Sequence, residues 1–295
     1  MSHNIITSTH LKSNGIIAIL AILMIYLAIA PSVQAIGVGQ FAEVLGNANP
    51  LEEVNAIVEG MSKPAAIDID NDGDLDMFIG ETKGIIRYFE NIGSINSPSF
   101  VEHPDATNPF DGVDIGSHSA PVFADIDGDG DFDVLVGEYD GNINYFENTG
   151  TVNQPSFVQR TATANPFDGI DVGTISIPSF SDIDNDGDFD VFVGKKNGGV
   201  AYFENIGTVN QPNFVQRTSV DNPFNTIITY GSPSLTFADI DNDEDLDAIS
   251  GSYGNKVYYY ENTGDKSNPN FVSRTGVDNP FDGVISYFVT FGAPI

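Results

Sequence analysis

The sequence predicts an all-β protein: a β-propeller of four-stranded antiparallel blades, with four full 57-residue repeats and an N-terminal half repeat in an incomplete ring. Three observations predict it. An acidic string recurs every 57 residues, starting at Asp68 (DIDNDGDLD), Asp125 (DIDGDGDFD), Asp182 (DIDNDGDFD) and Asp239 (DIDNDEDLD). Two other landmarks keep the same step: Tyr88, Tyr145, Tyr202 and Tyr259, each opening a Tyr-aromatic-Glu-Asn tetrad, and the Asn-Pro-Phe triplets at Asn108, Asn165, Asn222 and Asn279. Between the landmarks, short apolar and β-branched runs alternate with Gly, Asn, Asp and Pro turn signals, which reads as strand and not as helix. A unit of this size cannot bury its own apolar face and must stack on its neighbours.

Residues 1–35 read as a signal peptide. Lys12 is their only charged side chain, an apolar stretch runs from Gly15 to Ala30, and the small residues Val33 and Ala35 precede the expected cut after Ala35. That stretch is shorter than the roughly 20 residues an untilted helix needs to cross a bilayer. The rest of the chain is therefore expected to be secreted, extracellular or at the cell surface, with no membrane insertion after signal cleavage. It contains no cysteine, so no disulfide staples an exported domain.

Residues 36–67 form the half repeat: the segment from Phe41 (FAEVLGNANPL) matches that from Phe100 (FVEHPDATNPF), and Pro64 stands one period before Pro121. Full repeats follow at 68–124, 125–181, 182–238 and 239–295. The chain stops where a fifth acidic string is due and reads as truncated there. Within 125–181, strands are expected over Asp131–Glu138, Ile143–Glu147, Ser156–Arg160 and Pro178–Ser181, the last (like its equivalent Ala120–Ala124) running into the next acidic loop. In the long loop before that strand, Pro of the Asn-Pro-Phe triplet sets a bend and Phe is expected to plug the gap between blades. The tetrad aromatics, such as Tyr145 and Phe146, are expected in the core.

In each acidic string the carboxylates stand at positions 1, 3, 5, 7 and 9. These are Asp68, Asp70, Asp72, Asp74 and Asp76, then Asp125, Asp127, Asp129, Asp131 and Asp133. The third string holds Asp182, Asp184, Asp186, Asp188 and Asp190, and the fourth Asp239, Asp241, Asp243, Asp245 and Asp247. Half of the 42 acidic residues lie in these strings when Glu244 is counted. Such crowding is repulsive unless a cation is bound, and calcium takes about 6 to 8 oxygen ligands. Side chains at positions 1, 3 and 5, the backbone carbonyl of position 7 and the carboxylate of position 9 would supply them. Gly73, Gly130 and Gly187 at position 6 permit the sharp turn, and apolar position 8 (Leu75, Phe132, Phe189, Leu246) is expected to anchor the loop to the core. A helix-loop-helix calcium hand has a bidentate Glu at position 12; here that position is Ile79, Val136, Val193 or Ser250, flanked by strands.

The repeated Asp-x-Asp-x-Asp-Gly-x-x-Asp motif resembles the FG-GAP and VCBS repeats, the calcium-binding blades of integrin α-chain propellers and of many secreted microbial proteins. The resemblance runs over about residues 41 to 295. It implies about four calcium ions, one per loop, and a role in adhesion or recognition at the cell surface. Glu244 replaces the position-6 Gly of the fourth string, where a side chain at positive φ costs on the order of 1 kcal/mol, so the fourth site is expected to be the weakest. The ions would tie each fourth strand to the next first strand and replace the missing disulfides.

A net charge of -31 excludes a nucleic-acid partner bound through basic residues. An adhesive module presenting loops to an unidentified protein or glycan is the main expectation. A carbohydrate-binding, lectin-like propeller is the alternative, and a non-catalytic accessory domain of a larger secreted enzyme comes third. Catalysis itself is not expected: after residue 35 the only histidines are His103 and His118, each confined to one repeat, and the one basic pair, Lys195-Lys196, reads as repeat drift.

Overall fold

The structure, a computed structural model, describes residues 62–227, 231–252 and 256–283. The expected signal peptide, most of the half repeat and the end of the fourth repeat lie outside the described residues. Four sheets of four strands follow one another along the chain. The first holds β1 (Lys63–Ile67), β2 (Asp76–Gly80), β3 (Ile86–Asn91) and β4 (Phe100–His103). The second holds β5 (Ala120–Ala124), β6 (Asp133–Gly137), β7 (Ile143–Asn148) and β8 (Phe157–Arg160). The third holds β9 (Ile177–Ser181), β10 (Asp190–Gly194), β11 (Val200–Asn205) and β12 (Phe214–Arg217), and the fourth β13 (Ser234–Ala238), β14 (Asp247–Ser252), β15 (Lys256–Asn262) and β16 (Phe271–Arg274). In each sheet the strands lie in sequence order and pair antiparallel, as the blades of a four-bladed propeller. Among the described residues no helix is long and apolar enough to cross a membrane.

The expected strands form, but one of them belongs to a different sheet. Ala120–Ala124 does not close the first blade; it pairs with the strand after the acidic loop, Ala124 opposite Asp133 and Ala120 opposite Gly137. Each acidic loop is thus a hairpin connection inside one blade and does not link two blades. The physical reason is register. The loop returns the chain antiparallel beside the strand it has just left, so ladder hydrogen bonds form at once, with no long crossover. In the same way β1, from the half repeat, completes the first blade.

The first strands β1, β5, β9 and β13 lie against one another in succession on the inside of the fan. The second strands β2, β6 and β10 are buried at every residue. β6 and β10 have a neighbouring blade on each face, which is why these segments read as unbroken apolar runs and not as alternating patterns. The Asn-Pro-Phe loops seal the gaps as expected. Phe110 stacks on Phe157 at 4.9 Å and meets Phe78 and Phe146 edge-on at 5.8 and 5.7 Å, so one ring bridges two blades. Asn108 holds it there, donating to the Ile86 carbonyl and accepting from the Phe110 N–H. Phe167 and Phe224 repeat the plug in the next two gaps.

Candidate metal centre

In all four loops the backbone is left-handed at positions 4 and 6. Position 4 is Asn71, Gly128, Asn185 and Asn242, with φ of 60, 70, 59 and 67°; position 6 is Gly73, Gly130, Gly187 and Glu244, with φ of 99, 97, 98 and 76°. The two reversals curl the chain around the position-1 carboxylate. Asp68 accepts the N–H groups of Asp72 and Gly73, each at 3.1 Å, and Asp182 accepts those of Asp186 and Gly187. The curl gathers positions 1, 3 and 5: one carboxylate oxygen from each of Asp68, Asp70 and Asp72 lies within 4.8 Å of the other two. Asp125, Asp127 and Asp129, Asp182, Asp184 and Asp186, and Asp239, Asp241 and Asp243 make the same cluster.

The side chains at positions 7 and 9 are buried. Burial, followed by the carboxylates at positions 5, 1 and 3, raises the pKa of Asp74; Asp131 is raised by the same causes and Asp188 is pushed up to about 6. In each of Asp74, Asp131, Asp188 and Asp245 one oxygen is buried with no hydrogen-bond partner. Its neighbours are the gathered carboxylates, which cannot donate while ionised. A buried acceptor in that position is the kind of orphan that native structures avoid unless an ion or water fills the gap. The donor set is oxygen throughout and the neighbours are anionic, so these residues fit a hard divalent cation.

Position 9 stands apart from the gathered triplet. Asp133 is 2% exposed; its Oδ1 accepts the Asn148 N–H at 2.8 Å and its Oδ2 the Tyr145 hydroxyl at 3.1 Å. Asp190 and Asp247 do the same with Asn205 and Tyr202 and with Asn262 and Tyr259. Asp76, Asp133 and Asp190 are pushed up to about 7, chiefly by burial. These contacts explain the tetrad that follows each loop. Its Tyr is in the core, as expected, and its hydroxyl also props the acidic loop.

The Asn of the tetrad is a residue that sequence reasoning overlooked. The Asn91, Asn148 and Asn205 side chains lie beside Asp74, Asp131 and Asp188 and partly offset the effect of burial on their pKa values, and their Oδ1 atoms organise the following turn. The signal was its fixed spacing after the loop. Position 8 divides: Phe132 and Leu246 are partly buried and pack against the core, as expected, whereas Phe189 is 43% exposed; a fully buried anchor of the first three loops is the Ile at position 2, namely Ile69, Ile126 and Ile183. Alternation limits how far position 8 can turn inward, because the buried carboxylate of position 9 takes the inward face beside it.

The histidines are accounted for locally. His103 occupies the place of Arg160, Arg217 and Arg274, which pair across the strand with Glu147, Glu204 and Glu261; it meets Glu90 at 2.6 Å and Thr107 Oγ1 at 2.7 Å. His118 Nδ1 lies 2.7 Å from Ser117 Oγ.

Blades in sequence, each carrying a carboxylate-lined hairpin, define a repeat propeller with loops prepared for a cation. A profile described as FG-GAP-like repeat matches residues 68–136, 125–193 and 182–250, more than half of the chain, and the chain belongs to that family. Comparison with curated proteins gives no match. Among solved structures, an Agrocybe aegerita lectin described for specific recognition of non-reducing terminal N-acetylglucosamine aligns at 19% identity with a TM-score of 0.42, over 74% of this chain and 52% of that one. An Aleuria aurantia lectin in complex with alpha-methyl-L-fucoside aligns at 14% identity and a TM-score of 0.38, over 75% of this chain and 66% of the other. This chain therefore spans about half to two thirds of their length.

Proposed function

We propose that this protein is an exported, calcium-binding propeller module that serves adhesion or recognition at the cell surface and not catalysis. The observation that carries the metal reading is the repeated orphan at Asp74, Asp131, Asp188 and Asp245, each in a loop that gathers three other carboxylates. A divalent ion there would accept the free oxygen, cancel the repulsion and pin a hairpin in a fold that contains no disulfide. The signal-like first 35 residues support export. The local roles of His103 and His118 support a binding module, and a protein or a glycan is the expected ligand.

The test is a thermal melt of the full chain in EDTA, in magnesium and in millimolar calcium, with bound calcium counted by calorimetry. With affinities of about 10⁻⁴ to 10⁻³ M, each site adds roughly 1 to 2 kcal/mol at most. A calcium-specific rise in melting temperature with three or four ions bound is the expected result, followed by binding to a member of a glycan or cell-surface protein panel. A folded chain that takes up no calcium overturns the reading and leaves the loops as a solubility device.

A further inference from the structure

We infer that Asn153 and Asn210 are latches joining an acidic loop to the following blade, so that calcium held in one blade stiffens its interface with the next. The inference rests on the calcium reading above. Asn153 lies in the turn between β7 and β8, where Thr151 and Gln154 close a small bridge. Its Nδ2 leaves its own blade and donates to the backbone carbonyl of Asp70 in the first loop, at 3.2 Å. One period on, Asn210 reaches into the second loop and donates to the carbonyls of Gly128 at 2.9 Å and Asp127 at 3.5 Å.

The bonded carbonyls belong to positions 3 and 4, between two of the gathered carboxylates. There the backbone turns left-handed, at φ 60° in Asn71 and 70° in Gly128. Holding that segment sets the spacing of Asp70 and Asp72, or of Asp127 and Asp129, and an ion drawing those carboxylates together would in turn fix the carbonyl that the latch grips. Binding and docking therefore favour each other. The second latch is the closer fit. A Cβ on Gly128 would stand 2.6 Å from Asn210 Nδ2 and 2.9 Å from the Val209 carbonyl oxygen. The other three loops carry Asn at this position; only the second has Gly, and there the latch reaches two carbonyls.

The third interface supplies a natural contrast. Ser267 stands where Asn153 and Asn210 stand, in the turn Asp265–Asn268 of the fourth blade. Its backbone N–H bonds Asp265 in its own turn, and among the described residues no hydrogen bond runs from it to the third loop. Calcium is thus expected to couple the first three blades, while the fourth is joined to them by apolar packing.

The test uses the full chain with Asn153→Ala, Asn210→Ala and Ser267→Asn, each titrated with calcium by calorimetry and melted in EDTA and in millimolar calcium. Hydrogen exchange is followed at turn residues 151–154 and 208–211. Loss of one such bond should weaken calcium at a single loop about fivefold. Each Ala variant should lose more melting temperature in calcium than in EDTA and lose the calcium-dependent protection of its turn. Ser267→Asn should gain melting temperature in calcium alone, which keeps the test decisive even where an Ala variant folds poorly. Equal losses in both buffers, or unchanged calcium affinity and protection, overturn the latch and leave the calcium reading intact. A wild-type chain that binds no calcium overturns both and is recognised before any variant is made.

Discussion

The second and fourth acidic loops carry the same five aspartates and are supported differently. In the second, Gly130 takes the left-handed position 6 and Asn210 reaches in from the next blade. In the fourth, Glu244 is forced to φ 76°, and the Asn262 Nδ2 is buried without a partner. Asp125 and Asp127 are partly buried, whereas Asp239, Asp241 and Asp243 are all exposed. Nine residues in the right order therefore make carboxylates meet, but the surroundings decide how firmly they are held. Below the mouth the two blades agree, since position 9 bonds a tetrad Tyr and a backbone N–H in both.

The broadest way to test that shared base is pH. In EDTA, Asp76, Asp133 and Asp190 titrate near 7 in the folded chain, against about 4 when unfolded. Between those values the folded state holds protons that the unfolded state has released, so stability falls as pH rises from about 4 to about 7. Calcium needs ionised carboxylates, so melting in calcium should lose this fall or reverse it. A metal-free melting temperature that rises over the same window would break the account of position 9.

Asp133→Ala should destabilise by about 3 kcal/mol in urea unfolding, with or without calcium, because the Asn148 N–H and the Tyr145 hydroxyl lose a buried acceptor. Asp247→Ala should cost the same to within about 1 kcal/mol, and a much smaller loss would show that the fourth blade is loose throughout and not only at its mouth. The mouths are compared through Asp129→Asn and Asp243→Asn. Calorimetry should show one calcium site lost in the first case, with about 1 to 2 kcal/mol of calcium-dependent stability, and less than about half of that in the second. Glu244→Gly should bring the two loops closer, raising stability by about 1 kcal/mol and strengthening the fourth site. No gain would mean that the fourth loop has relaxed around its glutamate.

Much of this was legible in the residues. The period located every loop, strand runs marked the blades, and the Asn-Pro-Phe triplets pointed to the interblade plugs, because turn chemistry and apolar patterning act over a few neighbouring positions. The phase of the blades was not legible. Ala120–Ala124 precedes an acidic loop whether it pairs backward with β4 or forward with β6, and only the hydrogen-bonded register of Ala124 with Asp133 chooses. Position 8 was legible in part: Phe132 and Leu246 pack on the core, but Phe189 is exposed beside the buried Asp190.

Sequence alone settled the repeat, the strand content, the five-carboxylate loops and the odd residue Glu244, since each depends on residue type and short spacing. Tertiary structure decided which strands share a sheet, which oxygen of Asp74, Asp131, Asp188 and Asp245 is left without a partner, and which loops receive an Asn from the next blade. Those outcomes depend on pairings that no residue type names in advance: Ala124 with Asp133, Asp133 with Asn148, and Asp70 with Asn153 in another blade. The first two form only once a blade has paired its strands and the third only after blades have stacked, when burial makes an unmet hydrogen bond expensive enough to select a single arrangement.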